Sequence, residues 1–264
     1  MVKSSLSRYG NLLRHIRNWT VYFTRKFNKG FKELQFETTG NRVKFRVPSK
    51  GLYLVFKEIF VTDFYDSNNL LKQLPPSPVV VDIGANAGYF NMMLFSKRKD
   101  ATVYAYEPIP SNYELFKKNI SLNPGLDQHI HLFNKAVTGK PQEQVELFME
   151  TSGDNSVIAS VYDDFDTQNQ YRLRVPAISL SEIVKGLQQI DLLKVDCEGS
   201  EYPILYETAP EVWDKIKKLF IEVHNLDNDK RNVTSLGEFL KEKGFEVKAE
   251  FAHTTCYALS ASRK

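Results

Sequence analysis

Cysteine is nearly absent: Cys197 and Cys256 are the only two in 264 residues. Two thiols cannot build a disulfide framework, so a reduced, cytoplasmic setting is the expectation. Long apolar runs are missing as well. No stretch approaches the roughly 18 uninterrupted apolar residues that a membrane-spanning helix needs. Residues 1–7 hold no apolar core of the length a secretory signal uses. The Asn-x-Ser/Thr sequons at Asn18, Asn119 and Asn232 are therefore read as chance. No internal repeat or low-complexity tract occurs, which excludes collagen-like and disordered chains. Several catalytic signatures are missing too. There is no Gly-x-Ser-x-Gly elbow, no His-Glu-x-x-His and no Cys-x-x-Cys, and no Gly-Lys-Ser/Thr to close a phosphate loop.

Acidic residues are missing from one region. Eight of the 35 Lys and Arg lie in residues 1–32, where no Asp or Glu occurs. The net charge of +3 thus divides into a basic arm and a body at −5, with 27 basic against 32 acidic residues. An acidic body does not suit nucleic acid, and none is expected as a partner. In the arm, Leu6, Tyr9, Leu13, Ile16, Phe23 and Phe27 recur at helical steps amid Arg8, Arg14, Arg17, Arg25, Lys26 and Lys29. This predicts a basic amphipathic helical arm over residues 1–33, with Trp19 beside its apolar face. Such a face packs on the body, pairs two copies in a homodimer, or lies on an anionic membrane surface. Packing on the body is the first expectation, and any membrane association would be peripheral, at the inner face.

Residues 34–78 read as a small α/β extension. Thr39-Gly40-Asn41 marks a turn between strands 34–38 and 42–47, a short helix covers 68–73, and Pro75, Pro76 and Pro78 end the segment. From residue 79 strands and helices alternate to the end of the chain. Strands are predicted at 79–83, 102–106, 130–134, 192–195, 219–223, 245–250 and 255–260, and helices at 89–97, 111–122 and 235–243. This pattern predicts an α/β domain over 79–264, a mostly parallel, doubly wound sheet with helices on both faces. The polar stretch 151–171 reads as a long loop, and long loops often serve as lids.

The sharpest local signal is Val79-Val80-Val81-Asp82-Ile83-Gly84-Ala85-Asn86-Ala87-Gly88. A strand enters a turn with glycines four apart, then a helix. At the carboxyl end of a parallel strand such a turn opens a ligand crevice. Glu107 ends the next strand, where a carboxylate accepts hydrogen bonds from ribose hydroxyls. Asn86 stands where a dinucleotide fingerprint has its middle glycine, which disfavours a pyrophosphate and a nicotinamide cofactor. An adenosine carrying a cationic sulfonium suits the acidic rim better.

Two further clusters carry acid–base groups. Leu192-Leu193-Lys194-Val195-Asp196-Cys197-Glu198-Gly199-Ser200-Glu201 ends an apolar strand in carboxylates, and Asp196 or Glu198 is a candidate base. Glu201 reads more simply as the acidic first turn of a helix. In Phe220-Ile221-Glu222-Val223-His224-Asn225, Glu222 and His224 alternate onto one strand face, and His224 is the alternative base. Asp196, His224 and Asn225 offer metal-binding atoms, but their spacing closes no known site, and no metal is expected. Acidic neighbours should raise the pKa of Cys197 rather than activate it.

In this order the motifs resemble the class I S-adenosylmethionine-dependent methyltransferases, and more closely the FkbM-type family. The resemblance rests on Val80–Gly88, Tyr106-Glu107-Pro108 with Asn112 and Leu115, Asn119–Asn123, Lys135-Ala136-Val137, Lys194–Glu201 and Ile221–His224, with Glu58–Tyr65 leading in. It covers roughly residues 52–250. It implies a Rossmann-like sheet of seven strands with the last antiparallel, and S-adenosylmethionine as cofactor. It implies that Asp82, Gly84, Asn86 and Gly88, with Ala85 beside them, shape the methionine and ribose end. Glu107, with Pro108 adjacent, would hold the ribose, and Ala136 would border the adenine. Asp196 and Glu198 would face the methyl group and the acceptor. The implied activity is O-methylation of a small-molecule or glycan hydroxyl. A nucleic-acid methyltransferase and a non-catalytic nucleotide-binding module docked by its basic arm are the competing readings.

Overall fold

The computed structural model describes residues 5–24, 32–149, 159–160 and 171–263. The arm begins with α1 (Ser5–His15) and α2 (Val21–Thr24). A hairpin of β1 (Leu34–Glu37) and β2 (Lys44–Val47) follows, then α3 (Lys50–Phe56), whose wider last turns continue as a π-helix over Lys57–Thr62. After α4 (Ser67–Lys72) come β3 (Val79–Ile83), α5 (Tyr89–Lys97), β4 (Thr102–Tyr106), α6 (Pro110–Ser121) and β5 (Ile130–Phe133). Then follow β6 (Ala136–Thr138), β7 (Gln144–Met149), β8 (Ala159–Ser160), β9 (Tyr171–Ser179) and α7 (Leu180–Lys185). The chain closes with β10 (Leu192–Val195), α8 (Glu201–Tyr206), β11 (Lys218–His224), α9 (Val233–Glu242), β12 (Glu246–His253) and β13 (Cys256–Ser262).

The main sheet has seven strands in the order β12-β13-β11-β10-β3-β4-β5. Pairing is parallel from β5 through β11, and β13 alone runs against its two neighbours. The expected α/β Rossmann-like sheet with an antiparallel last strand is therefore present. Successive residues of the central strands feed opposite cores. Val80, Val103 and Leu192 pack with α5 and α6, while Val81, Ile83, Leu193 and Val195 pack with α7, α8 and α9. Helix α5 is buried almost all round, from Tyr89 to Ser96, which explains its lack of a polar face. Strand order reverses between β3 and β10, so the crevice at their carboxyl ends is the topological switch point.

The 34–78 extension shares the first of these cores rather than building its own: Phe36, Phe45, Phe56 and Phe60 pack with Phe90 and Phe116. Two asparagines, one in the last turn of α6 and one just past its end, pin β2. Asn119 and Asn123 accept from the backbone N–H groups of Arg46 and Lys44 at 2.9 and 2.7 Å. All three sequon asparagines have such duties. Asn18 accepts from the Glu37 N–H, and Asn232 caps α9 by accepting from Ser235 N–H.

The arm departs from the expected single helix. It breaks after His15, where Ile16 bridges to Thr38 and a turn leads to α2. Leu12 and Ile16 are the buried pair, whereas Leu6, Tyr9 and Leu13 of the predicted apolar face are exposed. Asn11 donates to the Val61 carbonyl and the His15 Nδ1–H to the Phe60 carbonyl, so α1 seats on the π-helical turn. Phe27 lies outside the described residues.

A second sheet, β6-β9-β7-β8, was not anticipated. Strand β9 alternates the exposed Arg172, Arg174 and Pro176 with Leu173 and Val175, which pack with Leu147 in a small core of their own. Pro176 sits where β9 changes partner, its first six residues pairing with β7 and the last three with β6. Of the predicted loop 151–171, only Ala159, Ser160 and Tyr171 lie among the described residues.

Candidate active site

Two turns face each other across the switch point. After β3, Gly84 (φ 76°) and Asn86 (φ 50°) adopt left-handed backbone, and after β10 Glu198 (φ 50°) and Gly199 (φ 91°) do the same. Left-handed non-glycine residues are uncommon and concentrate at functional sites. Gly84 has no alternative, since a Cβ there would lie 1.8 Å from the Asp196 carbonyl oxygen. Asn86 is held from two sides: its N–H donates to Glu107 Oε2 at 2.8 Å and its Oδ1 accepts from the Ala87 N–H. Glu107 Oε1 accepts from the Ile109 N–H at 2.8 Å. Burial pushes the Glu107 carboxyl up to about 7, against the opposing pull of the Ile109 and Asn86 N–H groups.

A buried ion pair ties the two turns together. Lys194 of β10 is in register with Asp82 of β3, and Nζ lies 3.1 Å from Asp82 Oδ1. The same ammonium donates to the Gly84 carbonyl at 2.8 Å and reaches Asp196 Oδ2 at 3.4 Å. Burial opposes its charge, but Asp82, Tyr65 and Asp196 outweigh that and hold Lys194 well above the ordinary lysine range.

The crevice between the turns opens into a cavity shared by residues of both turns. One end is lined by Gly84, Ala85, Asn86, Glu107, Pro108 and Ala136; the other by Glu58, Asp196, Glu198 and Glu222. Burial raises Glu58 to about 7, helped by Asp196, and raises Glu198 to about 8 and Glu222 well above its ordinary range. Glu58 Oε1 is buried and finds no hydrogen-bond partner among the described residues.

Most of the residues singled out in the sequence meet at this cavity, but three do not line it. Asp82 is fully buried behind the loop, its carboxylate taken by Lys194 and by the Asn91 amide at 2.6 Å. It positions the cofactor turn rather than touching the cavity. Gly88 starts α5 against the Phe116 ring, where any Cβ would clash at 2.2 Å. His224 lies behind Glu198 and Glu222, with Nδ1 3.0 Å from Glu201 Oε1 and Nε2 3.3 Å from Glu198 Oε2. Burial opposes its charge, yet Glu201, Cys256 and Glu198 hold the imidazole well above the ordinary histidine range. Held between Glu201 and Glu198, it braces the Glu198 carboxyl from behind the cavity. Glu222 and His224 do share one face, as expected, with Nε2 4.0 Å from Glu222 Oε1. Asn225 points away and accepts from the Val233 N–H. The Cys197 thiol is raised, as expected, but burial leads and the acidic neighbours follow.

Two participants were missed. Lys194 carried a usable signal, because a lysine inside an apolar strand needs a buried partner. Glu58 carried less, a lone acid between Phe56 and Phe60. Its π-helical turn, a device frequent at functional sites, has no sequence signature of its own.

Comparison with known proteins agrees with this geometry. The family model described as "Methyltransferase FkbM domain" matches residues 82–247. The chain is similar to Methyltransferase sdnD of Sordaria araneosa, with 26% identity over 80% of this chain and 89% of that one. It is 28% identical to Methyltransferase 1 of Beauveria bassiana, over 74% and 82% of the two chains. It is 26% identical to 31-O-demethyl-FK506 methyltransferase FkbM of Streptomyces tacrolimicus, over 79% and 89%. The chain belongs to the FkbM methyltransferase family, enzymes that use S-adenosylmethionine.

Proposed function

We propose that this enzyme is an O-methyltransferase acting on a hydroxyl of a natural product or of a sugar in a glycan or glycolipid. The observation that carries the reading is the division of one cavity into two chemically different ends. The Glu107 end fits a nucleoside, since a carboxylate offers about four acceptor sites and two are taken by the Asn86 and Ile109 N–H groups and one by Asn112, leaving capacity for a ribose hydroxyl. Two lysines line the cavity, Lys135 and Lys194, the latter engaged by Asp82, against the carboxyl groups of Glu58, Asp196, Glu198 and Glu222, a balance that suits a sulfonium better than a phosphate. When bound, S-adenosylmethionine supplies an electrophilic methyl carbon with a good leaving group.

Glu58, Asp196, Glu198 and Glu222 then receive the acceptor. A neutral hydroxyl is a weak nucleophile, and a base matched to neutral pH typically contributes about 100- to 10,000-fold. Glu58, raised to about 7, accepts that proton, with Asp196 and Glu198 orienting the hydroxyl. His224, paired with Glu201, keeps Glu198 in place. Alignment of the two reactants supplies most of the remaining rate, up to about 7–11 kcal/mol in favourable cases. The printed name of the Streptomyces relative, a 31-O-demethyl-FK506 methyltransferase, supports oxygen as the target atom.

The test is incubation with methyl-deuterated S-adenosylmethionine and separate panels of hydroxylated macrolides, glycans, amines and RNA. Mass spectrometry should place the label on oxygen in one of the first two panels. Label on nitrogen, or on RNA alone, would overturn the reading.

A further inference from the structure

The structure leaves an apolar ridge on the arm that none of the described residues covers. Leu6, Tyr9 and Leu13 follow one another at steps of three and four along α1, on the side away from the buried Asn11, Leu12 and His15. Leu6 is 88% exposed and Leu13 52%, values seldom left without a purpose in adjacent large side chains. The ridge continues through aromatic contacts. The Tyr9 ring stacks on Phe23 at 5.9 Å, and Phe23 meets the edge of Trp19 at 6.1 Å. Trp19 is itself 40% exposed. One continuous surface therefore runs from the start of α1 to α2.

The chain segment that carries this ridge holds one sign of charge. No Asp or Glu occurs among residues 1–32, which hold eight Lys and Arg. Arg8 and Arg14 make no ion pair among the described residues, and Arg17 has only Glu37, at 2.9 Å. We propose that this ridge docks on the surface of an anionic lipid bilayer, the apolar side chains entering the interface and the arginines meeting acidic headgroups. A second copy of the chain is the poorer occupant, because a self-complementary contact would bring two basic arms together. The inner face of the arm seats on the π-helical turn that delivers Glu58, so docking would bring the cavity close to the lipid.

The test uses the full chain, vesicles of phosphatidylcholine alone, and vesicles with three parts in ten phosphatidylglycerol. Trp19 is a built-in probe, since the only other tryptophan, Trp213, is buried in the core. Its emission should shift to the blue with the anionic vesicles only, and the shift should vanish at high salt as screening shortens the reach of the charges. Each basic residue near such a surface contributes about 1 kcal/mol, so Arg8→Gln/Arg14→Gln should weaken partitioning by roughly 30-fold. Leu6→Ser/Leu13→Ser should weaken it by about tenfold or more. Arg172→Gln, the loss of one charge on β9, should leave it unchanged. All variants should keep the wild-type melting temperature, because the altered side chains are at the surface. The proposal is overturned by no binding at low salt, by equal binding to neutral vesicles, or by binding that the arm variants do not alter. It is also overturned by a dimer, seen by light scattering, that Leu6→Ser/Leu13→Ser dissociates.

Discussion

Replacing Lys194 by methionine keeps the length of the side chain and removes its charge. The consequence follows from its partners. Asp82 has no exposed surface and keeps only the Asn91 amide once the ammonium at 3.1 Å is gone. The Gly84 carbonyl loses its 2.8 Å donor, and Asp196 loses its nearest cation. Removing one partner of a buried ion pair costs about 3–5 kcal/mol, because the remaining charge is stranded. For a chain of this size that corresponds to a fall in melting temperature of roughly 6–10 °C. Calorimetry or urea titration of the free protein measures it. A second variant isolates the pair. In Asp82→Leu/Lys194→Met both charges are gone, and stability should return to within about 2 kcal/mol of wild type. Binding of S-adenosylhomocysteine should stay weak in both, since neither restores the support under Gly84. A loss below about 1 kcal/mol in the single variant would refute the reasoning, as would a double variant less stable than the single.

Other consequences are measurable in the same way. Gly84→Ala forces a Cβ to 1.8 Å from the Asp196 carbonyl and a side chain into left-handed backbone, so it should abolish cofactor binding or soluble expression. Glu107 sets a pH dependence. Its carboxyl is raised to about 7, so it is largely protonated below that pH and a poorer acceptor for ribose. S-adenosylhomocysteine affinity should rise as pH climbs through about 7 and then level off, and Glu107→Gln should flatten the profile. The same shift means that the folded state binds a proton the unfolded chain has released, so this group's contribution to stability falls as pH rises from 4.5 to about 7. Glu201→Gln removes the buried partner of His224, 3.0 Å from Nδ1. It should lower stability by about 3 kcal/mol and free Glu198, changing the maximal rate more than cofactor affinity.

Much of the central fold was legible because each buried strand is a short apolar run bounded by turn residues. Val79–Ile83, Thr102–Tyr106 and Leu192–Val195 match their predicted bounds, as does the helix Tyr89–Lys97. The second sheet left a weaker trace: Leu173 and Val175 of β9 alternate with arginines, but this short apolar face serves a small separate core, and the strand pairs with β7 and β6 in turn. In the site, carboxylates at strand ends were readable because topology alone puts strand ends at the crevice. Asp82 misled for the same reason. It ends the strand one residue early, on the face that meets Lys194, and only the register of β3 with β10 reveals this. His224 misled because its protonation is set by Glu201, a residue whose place in sequence suggested only a helix first turn. The arm shows a further limit. Helical spacing located an apolar face whose Ile16 is buried as expected, but tertiary contacts buried Leu12 in place of Leu6 and Leu13.

The division of the cavity into a nucleoside end and an acceptor end is tested most directly by calorimetric titration with S-adenosylhomocysteine. Wild type, Glu107→Ala and Glu58→Gln would be compared at pH 8, each first shown to be folded by circular dichroism. The predicted result is binding to wild type and to Glu58→Gln with similar affinity, and a loss of about tenfold or more in Glu107→Ala. Binding that survives Glu107→Ala but fails in Glu58→Gln would reverse the two ends and contradict the account.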